Sequence, residues 1–188
     1  QRVDPPPTLY NHYDFRGRSN VDLGLDYMIK NDRLKLFGET ALSTVSGATA
    51  TLAALQWTPS SEIIATLLYR NYSPRYHALF ASAFARTARV RNEEGLYLGL
   101  TFTPAPRWLL TGHADLFRFP WMKPRVSFPS TGSEYALRID WTDPREIIAA
   151  YVRFRSQRTE GDAVRGHEIA LRSIVRHRLR AQITCTID

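Results

Sequence analysis

The stretch SEYALRIDW (residues 133–141) alternates without a break: Tyr135, Leu137, Ile139 and Trp141 fall on one side of an extended chain, Glu134, Arg138 and Asp140 on the other. Period two predicts a β-strand lying between an apolar and a polar medium. The segment before it, FPWMKPRVSFPSTG (119–132), carries three prolines and two cations among aromatics. Proline supplies no N–H and locks φ, so that segment is a loop. The fold turns on whether the alternation recurs and on which medium the apolar row faces.

It recurs. VDLGLDYMI (21–29) sets Val21, Leu23, Leu25, Tyr27 and Ile29 against Asp22, Gly24 and Asp26, and RLKLFGETAL (33–42) sets Leu34 and Leu36 against Lys35, Phe37 and Glu39. ATATLAALQW (48–57) and EIIATLLYR (62–70) alternate less cleanly, whereas LYLGLTF (96–102), RWLLTGHADLF (107–117) and EIIAAYVRFR (146–155) return to the pattern. HEIALRSIVR (167–176) and LRAQITCTID (179–188) close a series of ten predicted strands. Each is about ten residues long, the length a tilted strand needs to cross a bilayer.

Three connections share a form, WTPSSE (57–62), FTPAPR (102–107) and WTDPRE (141–146): an aromatic, a threonine and a proline-bearing turn. Longer loops are expected between them, at 43–48, 71–95, 117–133 and 156–166. Residues 1–20 read as an extended extracellular or linker segment and 21–188 as the strands.

The chain has 188 residues, is 44% hydrophobic and carries a formal charge of +7, so a core or a membrane band is within its means. No run of about 18 apolar residues occurs, which excludes a transmembrane helix but says nothing against a barrel. One cysteine, Cys185, cannot form an internal disulfide. The basic balance suits phosphate, lipopolysaccharide or nucleic acid, or a solvated surface.

Two readings of the apolar row compete. In a soluble barrel binding an apolar ligand the row points inward; in an antiparallel up-and-down transmembrane β-barrel it points to lipid. The second is preferred because short turns are expected at one end and long loops at the other, and because Trp57, Phe102, Trp108 and Trp141 sit by the short turns as a girdle. The polar row then lines a lumen with His113, Asp115, Arg138, Asp140, Arg153, Arg155, Arg172 and Arg180. Those arginines either favour anions or are neutralised by Asp115, Glu134, Asp140 and Glu168 on neighbouring strands.

The segment PRYHALFASAFARTARV (74–90) begins with proline and is alanine-rich, which predicts a short helix capping or plugging the barrel. Tyr76, Phe80, Phe84, Trp121 and Arg125 are the loop residues expected to fold over its mouth. His113 and Asp115, two apart, predict a hydrogen-bonded pair rather than a metal site, and Glu93-Glu94 predict ordinary turn chemistry. Serines lack a nucleophile-elbow setting, and no glycine-rich phosphate loop occurs. No catalytic residue, cofactor or metal is expected.

YRNYSPRYHALFASAFARTARVRNEEGLYLGL (69–100) and DLFRFPWMKPRVSFPSTGSEY (115–135) resemble the barrel region of Bacteroidota outer-membrane proteins of the helix-hairpin-helix, competence-like type. The resemblance spans residues 24–155 and is most specific at YRNYSP, NEEGLYLGL and FRFPW…PSTG. It implies a bacterial outer-membrane barrel of more strands than stand here, with outer-membrane lipid or lipopolysaccharide and other proteins of a membrane complex as expected partners. DNA uptake follows only at family level. The helix-hairpin-helix segment has no counterpart here, so nucleic-acid binding transfers to no residue.

Overall fold

The computed structural model describes residues 8–78, 81–165 and 168–186. Nine antiparallel strands form one sheet in chain order: β1 (Asp22–Lys30), β2 (Leu34–Ser43), β3 (Ala48–Ser60), β4 (Ile63–Tyr72), β5 (Glu93–Phe102), β6 (Trp108–Phe119), β7 (Ser130–Thr142), β8 (Ile148–Arg165) and β9 (Glu168–Cys185). The sheet is all-β and up-and-down as the alternation predicts, but β1 and β9 remain edges with no ladder between them, so a closed barrel is not observed.

Nine strands replace the expected ten because β9 is a single element. Its odd residues, from Ile169 and Leu171 through Val175 and His177 to Leu179 and Ile183, keep one phase, and no turn former interrupts them. The expected loop at 156–166 is likewise strand. Glu160, Gly161 and Asp162 look like turn chemistry, yet each pairs with β9, opposite Ser173, Arg172 and Leu171. Cross-strand pairing has overridden local composition there.

The predicted asymmetry of connections narrows to two loops. Turns at 31–33, 61–62, 103–107 and 143–147 lie at one end, but the opposite end holds a four-residue turn at 44–47 besides the long loops 73–92 and 120–129. Residues 74–90 form no helix among those described. Alanine propensity is outweighed by anchoring of the loop to the sheet, through its side chains and main chain, described below.

Register joins the strands into two faces. Following directly opposed residues from Leu36 through Leu55, Leu67, Leu98 and Ala114 to Tyr135 keeps to one side, and this side is apolar from the short-turn end past mid-strand, giving way to Asn71, Glu94, Arg118, Glu160 and Asp162 at the long-loop end. Its large side chains are exposed: Leu25, Leu67, Leu98, Leu137, Val152, Leu179 and Ile183 among others, the last at 76%. The opposite face is covered over its middle strands at the long-loop end, while the polar rows of β1 and β9 stay exposed. Ala41, Ala48 and Ala50 offer small side chains on which Tyr76 and Val90 of loop 73–92 pack with Tyr72, so the buried core lies between the polar face and that loop.

Candidate functional site

Arg70 of β4 projects from the polar face beside Glu93 of β5 and Asp115 of β6. All three are fully buried. Arg70 Nε donates to Glu93 Oε1 at 2.6 Å, and its two terminal nitrogens donate to the Asp115 carboxylate at 2.9 and 3.3 Å. A buried guanidinium needs this: its planar fork is satisfied by two carboxylates, and either left alone would be a costly uncompensated charge. Close approach is permitted by Gly95, directly opposite Arg70, where a Cβ would stand 2.5 Å from the guanidinium carbon.

Loop 73–92 closes over this triad by inserting Arg86. Its Nε donates to Asp115 Oδ2 at 2.6 Å, its Nη1 to Glu134 Oε2 at 2.7 Å, and its backbone N–H to Glu93 Oε2 at 2.8 Å. Arg155 of β8 donates to the same Glu134 oxygen at 2.6 Å, and His113 Nε2 lies 3.2 Å from Glu134 Oε1. Three carboxylates therefore hold three arginines across five strands and a loop. Aromatics fill the gaps: Arg86 lies over Phe117, Phe84 meets Tyr97 edge-on at 5.1 Å, and the Tyr72 hydroxyl donates to the Phe84 carbonyl at 3.0 Å.

A second layer covers the first. Asn92 accepts from the Trp121 N–H at 2.7 Å and donates to the Trp121 and Met122 carbonyls, which ties the two long loops together. Residues 8–20 lie against them. Tyr13 packs on Trp121 at 4.9 Å, Asp14 pairs with Arg91, and Asn20 donates to the His77 carbonyl at 2.7 Å. Burial and the Arg91 cation hold the His77 imidazole below its usual pKa. Loop 120–129 is strapped to β8 where the Ser127 hydroxyl and N–H donate to Asp162.

All eight residues expected on the polar row lie on one face. The expected bond between His113 and Asp115 is not made: His113 reaches Glu134 on neighbouring β7, while Asp115 is taken up by Arg70 two strands away on β4 and by Arg86 of the loop. Neutralisation from the neighbouring strand is real for Arg155 by Glu134; Arg138 is held instead by Asp140 of its own strand at 2.8 Å, and Arg153, Arg172 and Arg180 touch no carboxylate among the described residues. Trp57, Phe102, Trp108 and Trp141 all lie on the apolar face beside the short turns, Trp108 and Trp141 directly opposed.

Of the loop residues, Tyr76 is buried, Phe84 and Trp121 pack as described, and Phe80 lies outside the described residues. Arg125 takes a positive φ of 64° after Pro124 in a tight turn closed by the Val126 N–H on the Lys123 carbonyl, and stays exposed. Glu93 and Glu94 are strand, not turn: Glu93 enters the buried triad and Glu94 turns to the apolar side, bonding Arg118 at 2.7 Å. Arg70, Arg86 and Glu93 are the site residues that periodicity missed. Their signal was present for Arg70, which shares the polar phase of its strand, and absent for Arg86, which lies in a segment without period.

No family model matches the chain, and no curated protein matches it, so the resemblance to helix-hairpin-helix outer-membrane proteins finds no support there. Among solved structures, a NanC porin aligns with 12% identity over 89% of this chain and 79% of the porin, at a TM-score of 0.46.

Proposed function

We propose that this chain is wall of an outer-membrane β-barrel, non-catalytic, serving as a channel or transport component whose passage is narrowed by loop 73–92. One observation carries the reading: the long loop 73–92 packs on the charged face, while the apolar row stays exposed from β1 to β9. A soluble barrel needs the reverse, with its apolar row covered and its charges in water. A continuous exposed apolar sheet of this extent fits lipid, and the aromatic border beside the short turns fits the headgroup level. The charged face under the loops is then the water side, and Arg86, held by Asp115 and Glu134, keeps the loop in place.

The open edges of β1 and β9 favour membership of a larger barrel or of an outer-membrane complex, since an unpaired strand edge in lipid leaves backbone groups unsatisfied. No residue on the polar face favours nucleic acid over another polyanion, so DNA uptake gains nothing from the geometry. Expression in a Gram-negative host tests the reading. The chain should sediment with outer membranes, resist carbonate extraction and migrate faster on a gel when unheated; release into detergent-free buffer overturns it. In planar bilayers Arg86→Ala should raise conductance over the parent.

A further inference from the structure

The ion network leaves several arginines out, and they stand together. On the polar face Arg138, Arg153 and Arg180 are directly opposed in one rung across β7, β8 and β9, and Arg155 faces Arg178 in the next. Opposed side chains on paired strands are about 5 Å apart, where like charges destabilise the sheet. Asp140 and Glu134 offset Arg138 and Arg155. Arg153, Arg176, Arg178 and Arg180 have no carboxylate among the described residues.

The surroundings are organised rather than merely solvated. Tyr151 and Arg180 both donate to Gln182 Oε1 at 3.0 Å, and the Arg138 guanidinium stacks 4.0 Å over the Tyr151 ring. The Nε of Arg155 is shut off from solvent and donates to no partner. Rungs repeat about every 6.7 Å along the strands and strands about every 4.8 Å, so the arginines form a grid of cations at those spacings.

We propose that this arginine grid on β7–β9 is a binding site for a multivalent oxyanion, one carrying phosphate or carboxylate groups about 5–7 Å apart. Guanidinium forks grip either group bidentately, and the anion offsets the repulsion that the empty grid sustains. The proposal deepens the channel reading by naming what the water side would take, and it rests on that reading only for access.

The test is binding by the full chain in detergent micelles at physiological ionic strength, with tripolyphosphate, citrate and inorganic phosphate titrated in turn. Tripolyphosphate or citrate should bind roughly tenfold tighter than inorganic phosphate, and the tighter of the two assigns the group. The double variant Arg153→Gln/Arg180→Gln should lose that advantage, while Arg145→Gln in the β7–β8 turn, removing one charge elsewhere, should not. Without anion the double variant should unfold at or above the parent's temperature, because opposed cations are gone, and saturating anion should raise the parent alone. Equal affinity in parent and double variant, equal loss in Arg145→Gln, a lowered unfolding temperature of the unliganded variant, or no binding, as when an acidic strand pairs with β9, each overturns the site. A chain that binds the anion but never enters membranes would overturn the channel and leave the site standing.

Discussion

At the scale of single residues, Asp115 is the hinge of the buried network, since it answers both Arg70 and Arg86. Asp115→Ala strands a buried cation and should cost about 3–5 kcal/mol. The midpoint of urea unfolding in detergent reads it, and an unchanged midpoint would falsify the network's structural role. Asp115 and Glu134 were legible as polar-row residues from spacing alone. Their partner Arg86 was not, because a loop residue's address is set by where the loop folds and not by any period.

His77 gives a pH expectation at the same scale. It lies in loop 73–92 against Phe15, where burial first, and then Arg91 and Arg75, oppose its protonation while Asp14 and Asp22 favour it. Its folded pKa is depressed, so the unfolded state binds more protons just below about pH 6.5. The contribution to stability is whole above that pH and declines as pH falls toward the folded value. Protection factors of the amides at residues 8–20, taken relative to intrinsic exchange at each pH, should therefore fall on acidification from neutral to pH 5, and His77→Phe should flatten the dependence.

Among elements, β4 and β5 show how spacing at a glycine positions charge. Gly95 lies under the Arg70 guanidinium, which two carboxylates hold and which cannot swing away. Gly95→Ala should shift the arginine and cost about 1–3 kcal/mol as overpacking. Gly24 of β1, where a Cβ would meet only Glu39 Oε1 at 3.7 Å, serves as a control for the loss of a glycine as such. Element boundaries were the less legible part. The phase of β9 runs unbroken through Arg176, His177 and Arg178, yet three polar residues in a row read as a break until β8 is seen paired along the full length.

For the whole molecule, the border of the apolar face steps evenly. It passes from Leu34 and Trp57 to Ile63 and Phe102, then Trp108 and Trp141, then Ile148 and Cys185, one rung for every two strands. A step of one residue per strand, about 3.3 Å against a spacing of about 4.8 Å, leans the strands about 35° from the perpendicular to the border, which is the tilt of barrel walls from their axis. A charge at mid-height of this face should then be costly. Leu98→Arg is expected to lose about 2–4 kcal/mol of folding stability in lipid vesicles, whereas Thr66→Arg on the other face should lose far less. Equal effects from the two would remove the lipid assignment.

Alternation by itself determined most of the strands and the membership of each face, because a period of two leaves a side chain only two directions; it did not give the strand number, where ten were expected and nine stand, nor the strand at 156–165. Trp141 and Arg138 were assignable to opposite sides before any contact was known. Tertiary structure decided the rest: that loop 73–92 covers the charged face, that Arg70, Glu93 and Asp115 meet beneath it, and that Arg153 and Arg180 stand opposed and unpaired by carboxylate. These depend on register between strands and on the path of a loop, both long-range properties that no local pattern encodes.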